Sequence, residues 1–185
     1  MSLRYAILTL LATEPASGYD IVKHFRETLG YFWNAKHQQV YQELKKLSED
    51  GLLLVENQGQ EDKPDKKNYR LNPAGLAELQ QWLAGSVPPN KINDALLVKL
   101  YAGQFTDVAN LKAEMHSHRQ THENTLQALL ATEQRYRKLT PAEQAHHQLP
   151  YLTLRRGILG EQAWLAWADE VMQVLERSGT SDAGS

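Results

Sequence analysis

Apolar residues recur along this chain with two different periods, and the changes of period mark out its parts. The opening run SLRYAILTLLAT is apolar almost all round, the pattern of a helix sunk in a core. EPASG breaks it, and Ser17 followed three residues later by Asp20 matches a capping box, which predicts a second helix from about residue 18 to 29. After the connector GYFWN, the stretch AKHQQVYQELKKLSEDGLL places apolar residues at Val40, Leu44 and Leu47, with Tyr41 beside them. That is one thin helical stripe with a polar, glutamine-rich remainder. Gly51 suits the positive φ that follows a helix C-terminus. LLLVENQ and KKNYRL read as two strands around the polar loop GQEDKPD, so residues 52–71 predict a hairpin. Asn72-Pro73 starts a further helix, with Leu76, Leu79 and Leu83 as its expected buried row. Helix, helix, helix, hairpin, helix is the order of a winged helix.

GSVPPNK, residues 85–91, combines Gly, Ser and two consecutive prolines and predicts a boundary. Beyond it, NDALLVKLYAG predicts a short helix, and residues 107–138 contain no Pro or Gly. In that span Val108, Leu111, Met115, His118, His122, Thr125, Leu129, Thr132 and Tyr136 alternate spacings of three and four, a heptad-like seam. Thr140-Pro141 with Glu143 gives another capped start. After Pro150 a last long helix is expected to about Arg177, striped by Leu154, Ile158, Leu165, Ala168, Met172 and Leu175 and widened by Trp164, Trp167, Val171 and Val174. A helix so apolar needs partners on two sides, and a second copy of the chain is the natural candidate for one of them. Leu154, Ile158, Trp164, Leu165, Trp167 and Met172 are the expected dimerisation residues. The fold expected is mainly α: a winged helix-turn-helix domain over 1–86 with a two-stranded wing, then an all-α dimerisation domain over 91–178. The tail SGTSDAGS has nothing to bury, and 179–185 is expected to be disordered.

Composition narrows the function. The chain has 185 residues, 42% hydrophobic and 23% charged, as in ordinary globular proteins. No apolar run approaches the roughly 20 residues that cross a bilayer, and the first residues lack a signal-peptide cleavage site, so a cytoplasmic protein is expected. The absence of cysteine removes disulfides, thiolate zinc sites and cysteine nucleophiles. Formal net charge is −2, and each half carries 10 Lys and Arg against 11 Asp and Glu. Any contact with nucleic acid must therefore use a local patch and not a global field.

SGYDIVKHF, FWNAKHQQVYQELKKLSEDGLL and KKNYRLNPAGLAEL together resemble the N-terminal winged helix of the PadR family of bacterial transcriptional regulators. The likeness rests on Gly18-Tyr19, on Tyr41 followed by Leu44 and Leu47, on Gly51-Leu52, and on Tyr69, Leu71 and Gly75 in order. The second half, with NDALLVKLYAG and YLTLRRGILGEQAWLAWADEV, resembles the longer PadR subfamily. The resemblance spans residues 3 to 176. It implies a homodimeric DNA-binding regulator, usually a repressor, dimerised through its helical C-terminal domain and released in some members by a small effector.

With Val40, Leu44 and Leu47 turned inward, Asn34, Lys36, His37, Gln38, Gln39 and Gln42 lie at or near the N-terminal part of the third helix, the end that usually reaches base edges. Gln pairs bidentately with adenine and Lys reaches guanine, so Lys36, Gln38, Gln39 and Gln42 are the expected groove residues. Tyr19 suits a phosphate contact, and Lys63, Lys66 and Lys67 at the wing suit backbone or minor groove. Because the domain is not basic, two modules about one helical turn of DNA apart, roughly 34 Å, would be needed for useful affinity.

Each feature also has a plainer explanation. A Gln- and Lys-bearing face is commonly just solvated, and Tyr41 and Tyr69 pack the third helix on the wing. His118 and His122, four apart with Glu114 four before, have metal-ligand spacing but also occupy seam positions where polar residues fix helix pairing. Glu161 interrupts the last apolar stripe and needs a partner such as an arginine, or contacts an effector. Trp33, Tyr151 and Glu161 are the candidate contacts for a small aromatic effector, against core or dimer packing. No cofactor is expected. No glycine-rich phosphate loop, H-E-x-x-H pair or G-x-S-x-G elbow points to an enzyme. The competing class is a protein-interaction adaptor that uses the winged helix without reading DNA.

Overall fold

The computed structural model describes residues 3–25, 36–60, 63–89 and 91–181, with side chains described outside 57–66 and 178–181. The chain divides into two compact units, Met1–Asn90 and Lys91–Ser185.

In the first unit, α1 (Leu3–Thr13) buries Ile7, Leu8 and Leu11, and Leu3, Tyr5, Ala6 and Leu10 also pack on the core. This explains why its sequence is apolar on nearly every side. A two-residue strand, β1 (Ala16–Ser17), leads into α2 (Gly18–His24). Ser17 Oγ accepts from the backbone N–H of Asp20 and donates to the Asp20 carboxylate at 2.6 Å, closing the start of α2. Next comes α3 (His37–Glu49), whose Val40, Leu44 and Leu47 have no exposed surface.

At the end of α3, Gly51 (φ 70°) donates to the carbonyl of Ser48 and Leu52 donates to that of Leu47. These two bonds form a Schellman motif that satisfies the last carbonyls of the helix. β2 (Leu53–Gln60) and β3 (Lys63–Leu71) follow as an antiparallel hairpin, with Leu53 opposite Leu71, Val55 opposite Tyr69 and a register shift between Gln58 and Gln60. β1 adds to the other side of β3, Ala16 opposite Tyr69, so the wing is a three-stranded sheet in the order β1-β3-β2. The third strand goes beyond the two-stranded wing expected, because two residues carry no readable period.

α4 (Pro73–Ala84) begins at Asn72, whose side-chain oxygen accepts from Gly75 N–H while its amide donates to Gly51 O at 2.7 Å. Of the expected row only Leu79 is buried; Leu76 and Leu83 are exposed. The helix instead turns Gly75 and Trp82 inward, and Trp82 stacks on Tyr5 with ring centroids 4.6 Å apart.

The second unit contains α5 (Ala95–Tyr101), a single 3-10 turn at Gly103–Phe105, α6 (Val108–Arg137), α7 (Pro141–His146) and α8 (Gln148–Ser181). Asp94, Asp107 and Thr140 cap α5, α6 and α7 with their side-chain oxygens. α6 and α8 run antiparallel: Arg119 meets Asp169, His122 meets Glu161, and Glu133 meets Arg155. Their shared core holds Leu111, Met115, Ala168, Met172 and Leu175, joined by Leu96 of α5. Gln144 donates its amide toward the carbonyls of Tyr136, Arg137 and Leu139, so a side chain from α7 satisfies the end of α6. α8 continues to Ser181, past the residue at which a disordered tail was expected, and residues 182–185 of that tail lie outside the described residues. No described helix is long and apolar enough to cross a membrane.

Candidate nucleic-acid interface

The solvent face of α3 is polar because its buried stripe is only three residues wide. Lys36, His37, Gln38, Gln39, Tyr41, Gln42, Lys45 and Lys46 are all exposed. Within that set the side chains are not equally free. Gln39 Oε1 accepts from the backbone N–H of Lys36 at 3.0 Å, so Gln39 supports the helix start and keeps only its amide for another partner. The Lys36 side chain has no acceptor, leaving its ammonium unused by the cap. Lys45 sits 3.7 Å from Glu49 one turn on, which partly neutralises it. Gln38 and Gln42 lie one turn apart on the face opposite Val40 and Leu44.

Tyr19, the second residue of α2, is 66% exposed, whereas Gly18 before it is buried. Gly18 lies against Tyr41 of α3: a Cβ there would stand 2.6 Å from Tyr41 Cε1. Tyr69 is buried in β3, and burial, then the neighbouring Tyr41, pushes its hydroxyl up from the ordinary tyrosine value. Both tyrosines thus tie α3 to its surroundings. On the wing, Lys67 is exposed opposite Asn57, while Lys66 and Lys63 pair in register with Gln58 and Gln60. The Lys63 and Lys66 side chains lie outside the described residues, as do Trp33 and Asn34.

The second unit sorts its expected residues differently. Leu154, Ile158 and Met172 are buried within the chain's own fold, and Trp164, Leu165 and Trp167 are half-buried. Among the exposed apolar residues of this unit, Val98 and Tyr101 on α5 are 68% and 94% exposed, and Val174 on α8 is exposed on the same groove as Tyr101. Tyr101 and Val174 border a groove of about 740 Å³ lined also by Leu97, Leu100, Val108, Trp167 and Val171.

Tyr151 and Glu161 belong to two separate clusters, ten residues or about 15 Å apart along α8. Tyr151 stacks on Tyr136, centroids 4.1 Å apart, and donates to Glu133 at 3.0 Å. Glu161 meets His122 Nδ1 at 2.5 Å, and the His122 ring stacks on Trp164. The partner of Glu161 is therefore a histidine and not the arginine that was the obvious choice. His118 is tilted toward the same indole, centroids 6.3 Å apart.

Sequence reasoning passed over Glu133, the buried centre of the first cluster, held by Tyr151, Arg155 and Arg137. Burial works against its charge, but the hydroxyl of Tyr151 and the two guanidinium groups outweigh it and lower its pKa. Tyr151 is raised, by burial and then by Glu133. The available signal was an acid on the seam, four residues after Leu129 and three before Tyr136.

Known proteins share this arrangement along nearly the full chain. Residues 7–81 match the transcriptional regulator PadR-like family, and residues 92–176 match the virulence activator alpha C-terminal family. The negative transcriptional regulator PadR of Bacillus subtilis is 33% identical, covering 95% of this chain and 98% of that protein. The probable transcriptional regulator Rv1176c of Mycobacterium tuberculosis is 31% identical over the same shares. B. subtilis PadR in complex with operator DNA superposes with a TM-score of 0.77 at 30% identity, covering 94% of this chain and 98% of that one. The same protein in complex with p-coumaric acid gives 0.73 at 28% identity, over the same shares. The Vibrio cholerae virulence activator AphA gives 0.75 at 32% identity, covering 96% and 99%. With its winged helix, its helical C-terminal unit and relatives above 30% identity over almost their whole length, the chain belongs to the PadR-like family of transcriptional regulators.

Proposed function

We propose that this chain is a cytoplasmic, sequence-specific regulator that binds double-stranded DNA as a homodimer, represses transcription from a pseudo-palindromic operator and is released by a small aromatic effector. One observation carries the reading: α3 fixes itself through three fully buried residues and leaves Lys36, Gln38 and Gln42 exposed. Those residue types pair with purine edges in the major groove. Tyr19 and Lys67 are the exposed candidates for phosphate contacts, with Lys63 and Lys66 beside them in sequence. The operator complex of B. subtilis PadR supports the same use of the fold.

Dimerisation is required because neither half of the chain is basic, so one module has little electrostatic hold on DNA. The exposed Tyr101 and Val174, which line one groove with Trp167, and Val98 exposed on the same helix as Tyr101, form the face that a second copy would cover. Repression is the simplest outcome of occupying an operator. The effector is a flat organic acid, a class to which the p-coumaric acid bound by B. subtilis PadR belongs.

The test is selection of bound duplex from a random pool, followed by binding titrations across salt. The expected result is an enriched two-fold symmetric motif whose affinity falls steeply with salt. Failure to enrich any motif, with no binding even at low salt, would overturn the reading in favour of the adaptor. A panel of phenolic acids then tests release of the selected duplex.

A further inference from the structure

Three groups stand in a row on the flank of α3 that faces the start of α2. Gly18 opens α2 so close to Tyr41 that a Cβ would lie 2.6 Å from Cε1 and 2.9 Å from Cζ of the ring. One turn earlier on α3, the His37 ring lies against Tyr41, centroids 4.6 Å apart and planes tilted by 36°. His37 itself is exposed. The bare backbone of Gly18 thus seats Tyr41, and Tyr41 seats His37.

We infer that His37 reads a base in the major groove, with Tyr41 acting through it as a positioning residue; the inference rests on the DNA-binding reading above. An imidazole presents an N–H donor at one ring nitrogen, and the purine edge in the major groove presents N7, joined in guanine by O6, as acceptors. A ring already held against a second ring loses little rotamer freedom when it binds, whereas a free glutamine loses more. Gln39, the nearest alternative on this turn, has its carbonyl oxygen engaged at the helix start. Of the polar side chains in the first turn, His37 is the one whose orientation the fold fixes by stacking.

The experiment repeats the duplex selection with the full-length protein and its His37→Ala, Tyr41→Phe, Tyr41→Ala and His37→Ala/Tyr41→Ala variants, with thermal unfolding of each. His37→Ala is expected to lose a purine preference at one position in each half-site and to weaken the selected duplex about five- to tenfold. Its salt slope stays unchanged, and thermal unfolding shows a folded first unit. Tyr41→Phe keeps the ring and the preference. Tyr41→Ala loses the same preference, and the double variant reads DNA no worse than Tyr41→Ala alone, because the two act in series. A His37→Ala variant that selects the wild-type motif overturns the inference, as does one that keeps the motif but lowers the salt slope by about one, the signature of a phosphate contact. If the wild-type chain itself enriches nothing, the DNA-binding reading fails instead, and the two failures are told apart by that control.

Discussion

The imidazole of His122 lies nearly flat on the indole of Trp164, ring centroids 3.6 Å apart and planes 16° apart, while its Nδ1 meets Glu161 at 2.5 Å. Two residues of α8 thereby grip one residue of α6 from two directions, and both contacts are half-buried. His122→Ala removes the stack and leaves a carboxylate without its partner, for an expected loss of about 1–3 kcal/mol in the second unit. Urea unfolding followed by tryptophan fluorescence measures it. An unchanged midpoint would show that the grip contributes nothing.

Glu133 makes the second unit sensitive to acid. Its pKa is lowered in the folded protein, so the unfolded chain takes up the proton more readily. The stabilisation is complete above the ordinary carboxylate value, about 4.3, and is lost as pH falls through the lower folded value. Denaturant unfolding near neutrality and again below about pH 4 should show that decline in the wild type and a shallower one in Glu133→Gln. Equal declines in both would place the acid sensitivity elsewhere.

Packing gives a physical reason for a glycine at position 75, the last of the Tyr69, Leu71 and Gly75 series. A Cβ there would run into the carbonyl oxygen of Leu52 and stand 2.7 Å from Leu71 Cδ1. That carbonyl already accepts from Asn72 N–H and has no room to retreat. Gly75→Ala should destabilise the first unit by about 1–3 kcal/mol, the usual range for overpacking, read by calorimetry. A wild-type unfolding temperature would contradict the close packing.

The interface is tested where the apolar surface is exposed. Val98→Asp with Tyr101→Asp places charges that stay solvated in the monomer but that the proposed dimer would have to bury without a partner, and the expected species in sedimentation velocity is a folded monomer. Trp164 and Leu165 are less suitable targets, since a charge at Trp164 would also break the stack with His122. A variant that remains dimeric would move the interface off α5.

Gln38→Ala and Gln42→Ala each delete one side chain able to pair bidentately with adenine, and each should relax sequence preference by about 1–3 kcal/mol. Competition between the selected duplex and single-base variants measures the change. Unchanged discrimination in both would remove them from the groove.

Much of the fold was readable because long periods average out local noise. The seam of α6 holds over 30 residues, and the structure buries Leu111, Met115 and Leu129 along it, with His118, His122, Thr125 and Tyr136 half-buried between. Short elements gave less: β1 has two residues, and α4 turned a different set inward once Trp82 found Tyr5. Periodicity assigns a residue to a face but does not name what it meets there. His122 and Glu161 were each conspicuous, yet they are 39 residues apart, and Glu133 and Arg155 are 22 apart. For the same reason the stripe on α8 did not reveal that Leu154, Ile158 and Met172 serve the chain's own core. On α3 the polar face was legible; that Gln39 caps the helix and His37 leans on Tyr41 was not.

Asn72 accepts a bond from the first turn of α4 and gives one to Gly51, the residue just past α3, locking the root of the hairpin from both ends. Length and charge at the far end of the wing can therefore drift without loosening the frame behind it. On the proposed DNA-binding reading, substitutions at the wing tip would alter contact with the double helix while the scaffold that holds α3 stays in place.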